Sequence, residues 1–498
     1  MSSAATLIAA LAILFCAPSN GAHAATVAQT PVLTMARAVN YSLTPTDFHD
    51  AYSLPKTGAA HQRIAIVSAY DDPTVQSDLN DYTKRFGIPA CTVGNGCFRE
   101  LNQEGQSAPL PEKDPTSGAV FASESSIGSE VARGVCQSCS ILLVEANTPD
   151  EADISASVKT AIGAGATVVV TAFNQGAAEG DSQYAADYQG RHAVVVAASG
   201  DSGYSGLLYF PAVLPDVLAV GGTQLSVSAS GQRLGETAWE ATTSGCSLYE
   251  TAPVWQAPFA KSVGCGGKRS VADLAAVAQP GALVHVQEAG SPCGNTWCEA
   301  DGTSVAAPII AGVIGLAGSD GSGEARMLYQ HFNSDPGALH DITSGSNGAG
   351  GCTKPICSAR KGYDGPTGLG TPDGLGAFLR SGGAVNRSRP GLTITSPRRT
   401  INVTPQWTAA LTLRNDNPFA VSGSIALRQT SGSATVTFAA RRFELAPLAK
   451  ATQRFTVAAA QRALLTRLRV ARVSVALQVR AHSAPTVTTA RIRELAAP

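Results

Sequence analysis

Ile64-Ala65-Ile66-Val67 and Ile141-Leu142-Leu143-Val144 are two of five short apolar runs in the first half of the chain. The other three runs are Val168-Val169-Val170, Ala193–Ala198 and Val217-Leu218-Ala219-Val220. Segments with patterns that suit helices lie between the runs: Val75–Phe86, Ile154–Gly163 and Gln183–Tyr188. Continuous Val, Ile and Leu strands that alternate with helices indicate a parallel sheet covered on both faces. We therefore predict a doubly wound α/β domain.

A second domain is predicted because 498 residues exceed the roughly 250–300 that a single hydrophobic core supports. Beyond Gly382-Gly383 the sequence changes to alternating Thr, Val and Arg residues, with short strand-like runs separated by turn residues. This pattern is typical of an antiparallel, Ig-like β-sandwich. We predict an α/β domain over residues 32–382, a boundary near Gly382 to Pro390, and an all-β domain over residues 390–496.

The charge of the chain is divided between these domains. Val385–Pro498 contains 17 Lys and Arg but 3 Asp and Glu, although the net charge of the whole chain is −1. A basic domain favours an anionic cell-surface polymer, an anionic surface or the acidic front domain as its partner. The domain has few aromatic residues and no recognised nucleic-acid motif, so a nucleic acid is not the expected partner.

The first residues predict export. The apolar run Leu7–Cys16 is followed by Ala22-His23-Ala24, which has the small-x-small pattern of a signal-peptide cleavage site. We predict a signal peptide over residues 1–24 and a secreted protein, extracellular or periplasmic. No later stretch reaches about 20 apolar residues, so an integral membrane protein is not expected.

Ten of the eleven cysteines follow the predicted signal peptide, and each has a close neighbour in the sequence. The neighbours are Cys91 with Cys97, Cys136 with Cys139, Cys246 with Cys265, Cys293 with Cys298, and Cys352 with Cys357. An even number of cysteines in an exported chain predicts disulfides. Cys136-Gln-Ser-Cys139 also matches a redox or zinc motif, but a zinc site needs further ligands.

The strongest chemical motif is Gly302-Thr303-Ser304-Val305-Ala306-Ala307-Pro308, which precedes the apolar helix Ile309–Ala317. A serine at the start of a helix lies near free N–H groups that can hold an oxyanion. An isolated serine there is more often only a helix cap. The full motif, however, resembles the nucleophile signature of subtilases. This resemblance implies a subtilisin-like fold with Ser304 as nucleophile.

The general base is not a histidine, because none of the eight histidines stands in the His-Gly-Thr context of subtilisins. Instead, Glu124–Ala132 and the following Cys136–Ala146 resemble the serine-carboxyl peptidases, the sedolisin family. That family uses a helical glutamate, which implies that Glu124 is the base. The resemblance extends roughly from Tyr41 to Leu379 and implies a serine endopeptidase acting on peptides or proteins.

One position departs from the family. Sedolisins have an aspartate one turn after the glutamate, and this chain has Gly128. Residues at i and i+4 lie on one helical face, so an aspartate would share a proton with Glu124 and hold it toward the serine. Glu130 lies about 240° around the helix and is a poor substitute. Two hypotheses follow: a weakened peptidase, or a pseudopeptidase that binds peptides or cell-surface polymers without hydrolysis.

Asp201, in Ser199-Gly200-Asp201-Ser202-Gly203, follows a predicted strand at the end where α/β sites gather. Alone, this pentapeptide is an ordinary turn. The resemblance implies that Asp201 belongs to the oxyanion hole. Only a protonated aspartic acid can donate a hydrogen bond, and its ordinary pKa is about 3.9, so we expect activity at acidic pH.

A calcium site is implied near the end of the α/β domain. Carboxylates and backbone carbonyls on glycine-rich loops are the oxygen ligands that calcium prefers. Ordinary aspartate turns are the alternative. By resemblance, the carboxylate ligands are Asp341 and Asp364, and the carbonyl ligands belong to Ile342, Arg360 and Gly362. Sedolisins usually have glycine where this chain has Arg360.

Overall fold

The computed structural model describes residues 35–36, 42–379 and 392–498. Short gaps lie at 117–118, 229–232, 292, 295, 319–320, 322–323, 335, 349–351, 397–399, 416–420, 432–433, 446–448 and 482–486. The predicted signal peptide and the predicted domain boundary both lie outside the described residues.

The first part of the chain alternates strands and helices. Its strands are β1 (Met35–Ala36), β2 (Arg63–Ala69), β3 (Phe98–Asn102), β4 (Ser140–Ala146), β5 (Val168–Thr171), β6 (Gln175–Gly176), β7 (Val194–Ala198), β8 (Tyr209–Phe210), β9 (Val217–Val227), β10 (Arg233–Ala238), β11 (Gly245–Thr251), β12 (Lys268–Val271), β13 (Leu274–Gln279), β14 (Ala282–Val286), β15 (Thr296–Ala300), β16 (Leu339–His340) and β17 (Thr371–Pro372). Its α-helices are α1 (Pro45–Ala51), α2 (Val75–Phe86), α3 (Val120–Val135), α4 (Glu151–Gly163), α5 (Ala257–Ser262), α6 (Thr303–Ala317) and α7 (Glu324–Ser334).

An eight-stranded sheet forms the centre of this part. Its strand order is β10-β9-β7-β5-β2-β4-β3, and β13 pairs with β9. Every pair in it is parallel except β10 with β9. The predicted α/β fold with a mostly parallel sheet is confirmed.

The sheet is buried on both faces, as its sequence pattern requires. In β2, Ile64 and Ile66 belong to one hydrophobic core, and Ala65 and Val67 belong to the other. This follows from the strand geometry, since successive side chains point to opposite faces. Helices α2, α3 and α6 contribute to the first core, and α4 contributes to the second. The two layers of helices hold the sheet between them.

The predicted helices agree with the structure to different degrees. Helix α2 spans the predicted residues, whereas α4 begins at Glu151, three residues earlier than predicted. The segment predicted as a helix over Gln183–Tyr188 is a 3₁₀ helix over Asp181–Tyr188. The nucleophile motif and the apolar segment after it form one continuous helix, α6.

All five predicted cysteine pairs form disulfides in the structure. They are Cys91–Cys97, Cys136–Cys139, Cys246–Cys265, Cys293–Cys298 and Cys352–Cys357. Because Cys136 bonds to Cys139, this pair is a local crosslink and not a zinc site.

The last part of the chain is a β-sandwich with its own core. Its strands are β18 (Leu392–Ser396), β19 (Thr400–Asn402), β20 (Thr408–Asn415), β21 (Val421–Ser431), β22 (Ala434–Leu445), β23 (Lys450–Thr456), β24 (Val470–Ala481) and β25 (Val487–Ala496). They form a three-stranded sheet, β18-β20-β23, and a five-stranded sheet, β19-β25-β24-β21-β22. Leu411 of the first sheet and Ile425 and Val475 of the second share one hydrophobic core, which confirms the predicted sandwich.

Helix α8 (Ala459–Leu468) was not predicted. Among its residues only Leu465 is buried, so the helix has almost no apolar stripe to mark it in the sequence. No helix among the described residues is long and apolar enough to cross a membrane.

Candidate active site

Ser304 and Glu124 meet between two packed helices. Ser304 lies in the first turn of α6, and Glu124 lies in the first half of α3. The hydroxyl of Ser304 donates a hydrogen bond to Oε1 of Glu124, with 2.8 Å between the oxygen atoms. Both side chains are almost fully buried. The packing of the helices thus joins two residues that are 180 positions apart in the sequence.

The carboxyl group of Glu124 is poorly solvated. Burial raises its pKa to about 8, and the negative charge of Asp201 acts in the same direction. The hydrogen bond from Ser304 opposes this shift, because it favours the ionised carboxylate. Oε2 of Glu124 accepts no hydrogen bond from any described residue. The group is therefore mostly protonated below pH 8 in the free protein.

Asp201 lies beside the first residue of α6. It follows β7, and its Oδ1 accepts hydrogen bonds from the backbone N–H of Thr303 at 3.0 Å and from the Thr303 hydroxyl at 2.7 Å. Burial raises the pKa of Asp201 to about 6, although both bonds from Thr303 lower it. Thr303 thus fixes the carboxyl of Asp201 next to the residue that precedes Ser304. Thr303 belongs to the nucleophile motif, but nothing in the sequence indicates its contact with Asp201.

Position 302, between Asp201 and α6, has room only for glycine. Its φ is +103°, in the region that favours glycine. A Cβ atom at this position would also collide with Oδ2 of Asp201. The glycine of the motif therefore allows Asp201 to approach the N-terminus of α6.

The structure brings all three predicted catalytic residues together. A hydroxyl that donates to a carboxylate is the arrangement of a nucleophile and its general base. Asp201, when it carries a proton, can donate a hydrogen bond to an oxyanion near the N-terminus of α6. The geometry has the parts needed for acyl transfer through a covalent serine intermediate.

The two predicted calcium carboxylates lie on neighbouring loops. The N–H of Gly362 lies 3.1 Å from each carboxylate oxygen of Asp341. The N–H of Arg360 donates to Oδ2 of Asp364 at 2.9 Å. Burial raises the pKa of Asp364 to about 7, and the charge of Asp341 adds to the shift. Two carboxylates that repel each other on one pair of loops are suited to a divalent cation.

Arg360 replaces a glycine of the family without blocking these loops. Its guanidinium extends to the carbonyl of Ser262, with 3.0 Å between donor and acceptor. The side chain therefore contacts the end of α5, and residue 360 still carries a backbone carbonyl. Ile342, the other predicted carbonyl donor with a large side chain, is buried in a small cluster with Ala238 and Ala359. The residues present fit a calcium ion.

The chain was compared with known proteins. A model of the Subtilase family matches residues 115–326. Sedolisin of Pseudomonas sp. (strain 101) is 28% identical over 404 residues, which cover 70% of this chain and 63% of sedolisin. Kumamolisin of Bacillus sp. (strain MN-32) is 33% identical over 199 residues, 36% of this chain and 35% of kumamolisin. A similar solved structure is that of Pseudomonas sedolisin, a serine-carboxyl proteinase, complexed with two molecules of pseudo-iodotyrostatin. Its TM-score is 0.57 at 24% identity, and the match covers 67% of this chain and 96% of the sedolisin chain.

The chain is sedolisin-like. The predicted resemblance is confirmed by the sequence relationship, and the similarity to the solved structure is a similarity of fold. The chain spans 63% of the length of sedolisin.

Gly128 leaves this sedolisin-like site without the expected aspartate. Glu124, Gly128 and Ser304 line a small cavity of about 20 Å³, together with apolar residues that include Ile66 and Phe121. That volume is enough for one water molecule. A Cβ atom at position 128 would approach Cγ2 of Ile66 to 2.9 Å, so an aspartate does not fit unless Ile66 moves. Ile66 is a second residue whose part in the site the sequence did not reveal.

Glu130 does not replace the missing aspartate in the sedolisin-like chain. Its Oε2 accepts a hydrogen bond from the backbone N–H of His285, at 2.9 Å, on β14. Glu130 therefore lies on another face of α3 from Glu124, as the helix geometry predicts.

The buried carboxyl groups make stability depend on pH. Burial raises the pKa of Glu124 to about 8, of Asp72 to about 7 and of Asp201 to about 6. In the unfolded chain these groups titrate near about 4, so the folded state binds their protons more tightly. Their stabilisation is fully present below about pH 4 and is lost as the pH rises through the folded pKa values. We expect a higher melting temperature at pH 4 than at pH 8.

The control for this measurement is Glu124→Gln, which removes the ionisable group with the highest of these three pKa values. Between pH 4 and pH 8, the melting temperature of the variant should fall less than that of the unchanged chain. A melting temperature that rises over this interval, or an equal loss in both proteins, would contradict the expectation.

Proposed function

We propose that the chain is a secreted serine-carboxyl endopeptidase that hydrolyses peptide bonds at acidic pH, is stabilised by calcium and has weakened activity. The observation that carries the proposal is the 2.8 Å hydrogen bond between the Ser304 hydroxyl and the buried Glu124 carboxyl. The relationship to sedolisin, described as a serine-carboxyl proteinase, supports the reaction type. Five disulfides support export, since such bonds persist in oxidising compartments.

The proposed reaction has two stages. Oγ of Ser304 forms a bond to the carbonyl carbon of the substrate while its proton passes to Glu124. The C–N bond of the substrate then breaks, and Glu124 returns the proton to the departing amine. Water then gives a proton to Glu124 and attacks the acyl ester, and the proton returns to Ser304 as the acid is released. Asp201 donates a hydrogen bond to the oxyanion in both stages.

The protonation states explain why the activity should be weak. The reaction needs Glu124 ionised and Asp201 protonated, but their pKa values of about 8 and about 6 favour the opposite arrangement between these pH values. The productive form is then a minor fraction of the protein, and it is most abundant between the two pKa values. We therefore propose slow hydrolysis that is fastest at the upper end of the acidic range.

An aspartate at position 128 would change the protonation of Glu124. Two carboxyl groups that share one proton carry a single negative charge well below the pKa of an isolated buried glutamate. Glu124 would then be available as a base at lower pH. Gly128 would thus account for both the weak activity and the optimum near neutral pH that we propose.

We propose that calcium binds through the carboxylates of Asp341 and Asp364 and the carbonyls of Ile342, Arg360 and Gly362. The support is the chemistry of these oxygen atoms and the close approach of the two loops. The ion would neutralise the repulsion between the two carboxylates and hold the loops together.

A pseudopeptidase is the second candidate, and one observation favours it. Oε2 of Glu124 has no hydrogen-bond partner among the described residues, so nothing there orients the carboxyl except Ser304 itself. Such a protein would bind a peptide without cleaving it.

One set of variants tests both functions. We expect the unchanged chain to cleave an unfolded protein substrate slowly between about pH 3 and pH 7, and Ser304→Ala to abolish cleavage. Ser129→Ala, a buried serine on α3 that lies outside the site, is the matched control and should retain it. The double variant Gly128→Asp/Ile66→Leu should cleave at least tenfold faster, with the gain largest at low pH. The leucine keeps the side-chain volume but removes the branched methyl that an aspartate would meet.

The outcomes separate the two candidates. Cleavage that appears only in the double variant identifies a dormant site and supports the pseudopeptidase. The absence of cleavage in both proteins, at every pH tested and with calcium present, would overturn the peptidase proposal. Cleavage that survives Ser304→Ala would remove Ser304 from the mechanism.

We propose that the β-sandwich holds the protein on an anionic cell-surface polymer. Exposed basic side chains on its strands and around α8 support this role: Arg414, Arg428, Arg441, Arg442, Lys450, Arg454, Arg467, Arg469 and Arg472. Binding of the full chain to an immobilised anionic polysaccharide should weaken steadily as salt rises from about 50 to about 500 mM, because salt screens such contacts. Binding that does not respond to salt, or no binding at the lowest salt, would contradict this role.

A further inference from the structure

Three carboxyl groups outside the candidate active site lie close together. Asp71 follows β2, Glu100 belongs to β3, and Glu145 belongs to β4. Each offers a carboxylate oxygen within 4.8 Å of the oxygens offered by the other two. They are separated in the sequence by 29 and 45 positions, so no sequence motif indicates that they lie together.

The sheet explains why the three residues meet. Strands β3 and β4 are parallel neighbours, with Glu100 opposite Leu143. Glu145 is two residues beyond Leu143 and therefore lies on the same face of the sheet as Glu100. Strand β2 pairs with β4 on its other side and ends opposite Ala146, which brings Asp71 to the same end.

Glu145 points to a ligand for this group, called here the carboxylate cluster. Its side chain is wholly buried, with 0% exposure. Oε1 accepts a hydrogen bond from the backbone N–H of Asp72 at 2.9 Å. Oε2 is buried and accepts no hydrogen bond from any described residue. A buried carboxylate oxygen without a donor is costly, so it needs a proton or a cation.

Among the described residues, no Lys, Arg or His side chain forms an ion pair with the cluster. In the described part of the chain, the ion pairs involve other residues and none includes Asp71, Glu100 or Glu145. Lys113 is exposed, and its charge only partly opposes the increase that burial causes in the pKa of Asp71.

We propose that Asp71, Glu100 and Glu145 bind a divalent cation, with Ca²⁺ as the ion that fits their chemistry. The donors are three carboxylates, and hard cations such as Ca²⁺ prefer oxygen ligands. The cluster contains no histidine or cysteine, which would favour zinc or another softer metal. The site is separate from the loops that carry Asp341 and Asp364, and it does not depend on the proposed peptidase activity.

The proposed ion would stabilise the connection between the segment after β2 and helix α3. Asp72, next to Asp71, donates its backbone N–H to Glu145 and accepts a hydrogen bond from the Ser126 hydroxyl of α3 at 2.8 Å. A cation at the cluster therefore links the ends of β2, β3 and β4 to the helix that carries Glu124. Its role would be to stabilise the fold and not to act on substrate.

The test counts calcium ions bound to the full chain by equilibrium dialysis at about pH 7.5, where carboxylates ionise more readily. Asp364→Asn is the background, because it weakens the other proposed calcium site. In this background Glu145→Gln and Glu100→Gln should each weaken binding of the remaining ion at least tenfold. Glu124→Gln makes the same exchange at a buried glutamate outside the cluster and should leave the binding unchanged. Calcium should also raise the melting temperature of the Asp364→Asn chain but not of its Glu145→Gln derivative.

Calcium binding that is equal in Asp364→Asn and in its Glu145→Gln and Glu100→Gln derivatives would overturn the proposal. The absence of any bound calcium in the Asp364→Asn chain would overturn it as well, and would mean that the three carboxyls share protons instead. If Glu145→Gln does not fold, Glu100→Gln decides the question, because Glu100 is only partly buried.

Discussion

The hydrogen bond from Ser304 to Glu124 joins the two helices on which the site depends. Its 2.8 Å length is set by the packing of α3 against α6 on one face of the central sheet. Neither side chain has much freedom, since α3 is buried from Phe121 to Val135 and α6 from Thr303 to Leu316. The fold thus holds a hydroxyl and a carboxyl in contact within a buried environment. The same burial makes the ionised form of Glu124 unfavourable, so the geometry that brings the two side chains together also raises the pKa of Glu124.

Gly128 removes a group that would make the ionised form of Glu124 more favourable. A second carboxyl one turn along α3 would stabilise the ionised pair and orient the free oxygen of Glu124. The structure has instead a small cavity and the branched side chain of Ile66. Ile66 belongs to the core that supports β2 and α3, so the aspartate cannot be introduced by one substitution without a change in packing. The difference from sedolisins at Gly128 is therefore a feature of the core as well as of the candidate site.

The sequence predicted the parts of the molecule that have strong local patterns. The buried strands were evident because Ile, Val and Leu run continuously through them, and the positions of Ser304, Glu124 and Asp201 followed from family motifs. Contacts made across the fold were not predictable in this way. Thr303 holds Asp201 through a contact over 102 positions, and Ile66 approaches Gly128 from another strand. The carboxylate cluster was also missed, because only the order of β2, β4 and β3 brings its members together.

The central claim is that Glu124 is the proton acceptor of Ser304 and that burial controls its ionisation. The most direct measurement is the titration of the Glu124 carboxyl by ¹³C NMR in the full chain, with Ser304→Ala as the comparison. The account predicts a pKa near 8, raised by burial, and a further increase in Ser304→Ala because the serine hydrogen bond favours the ionised form. An ordinary glutamate pKa of about 4.3, or a value that does not respond to Ser304→Ala, would contradict it.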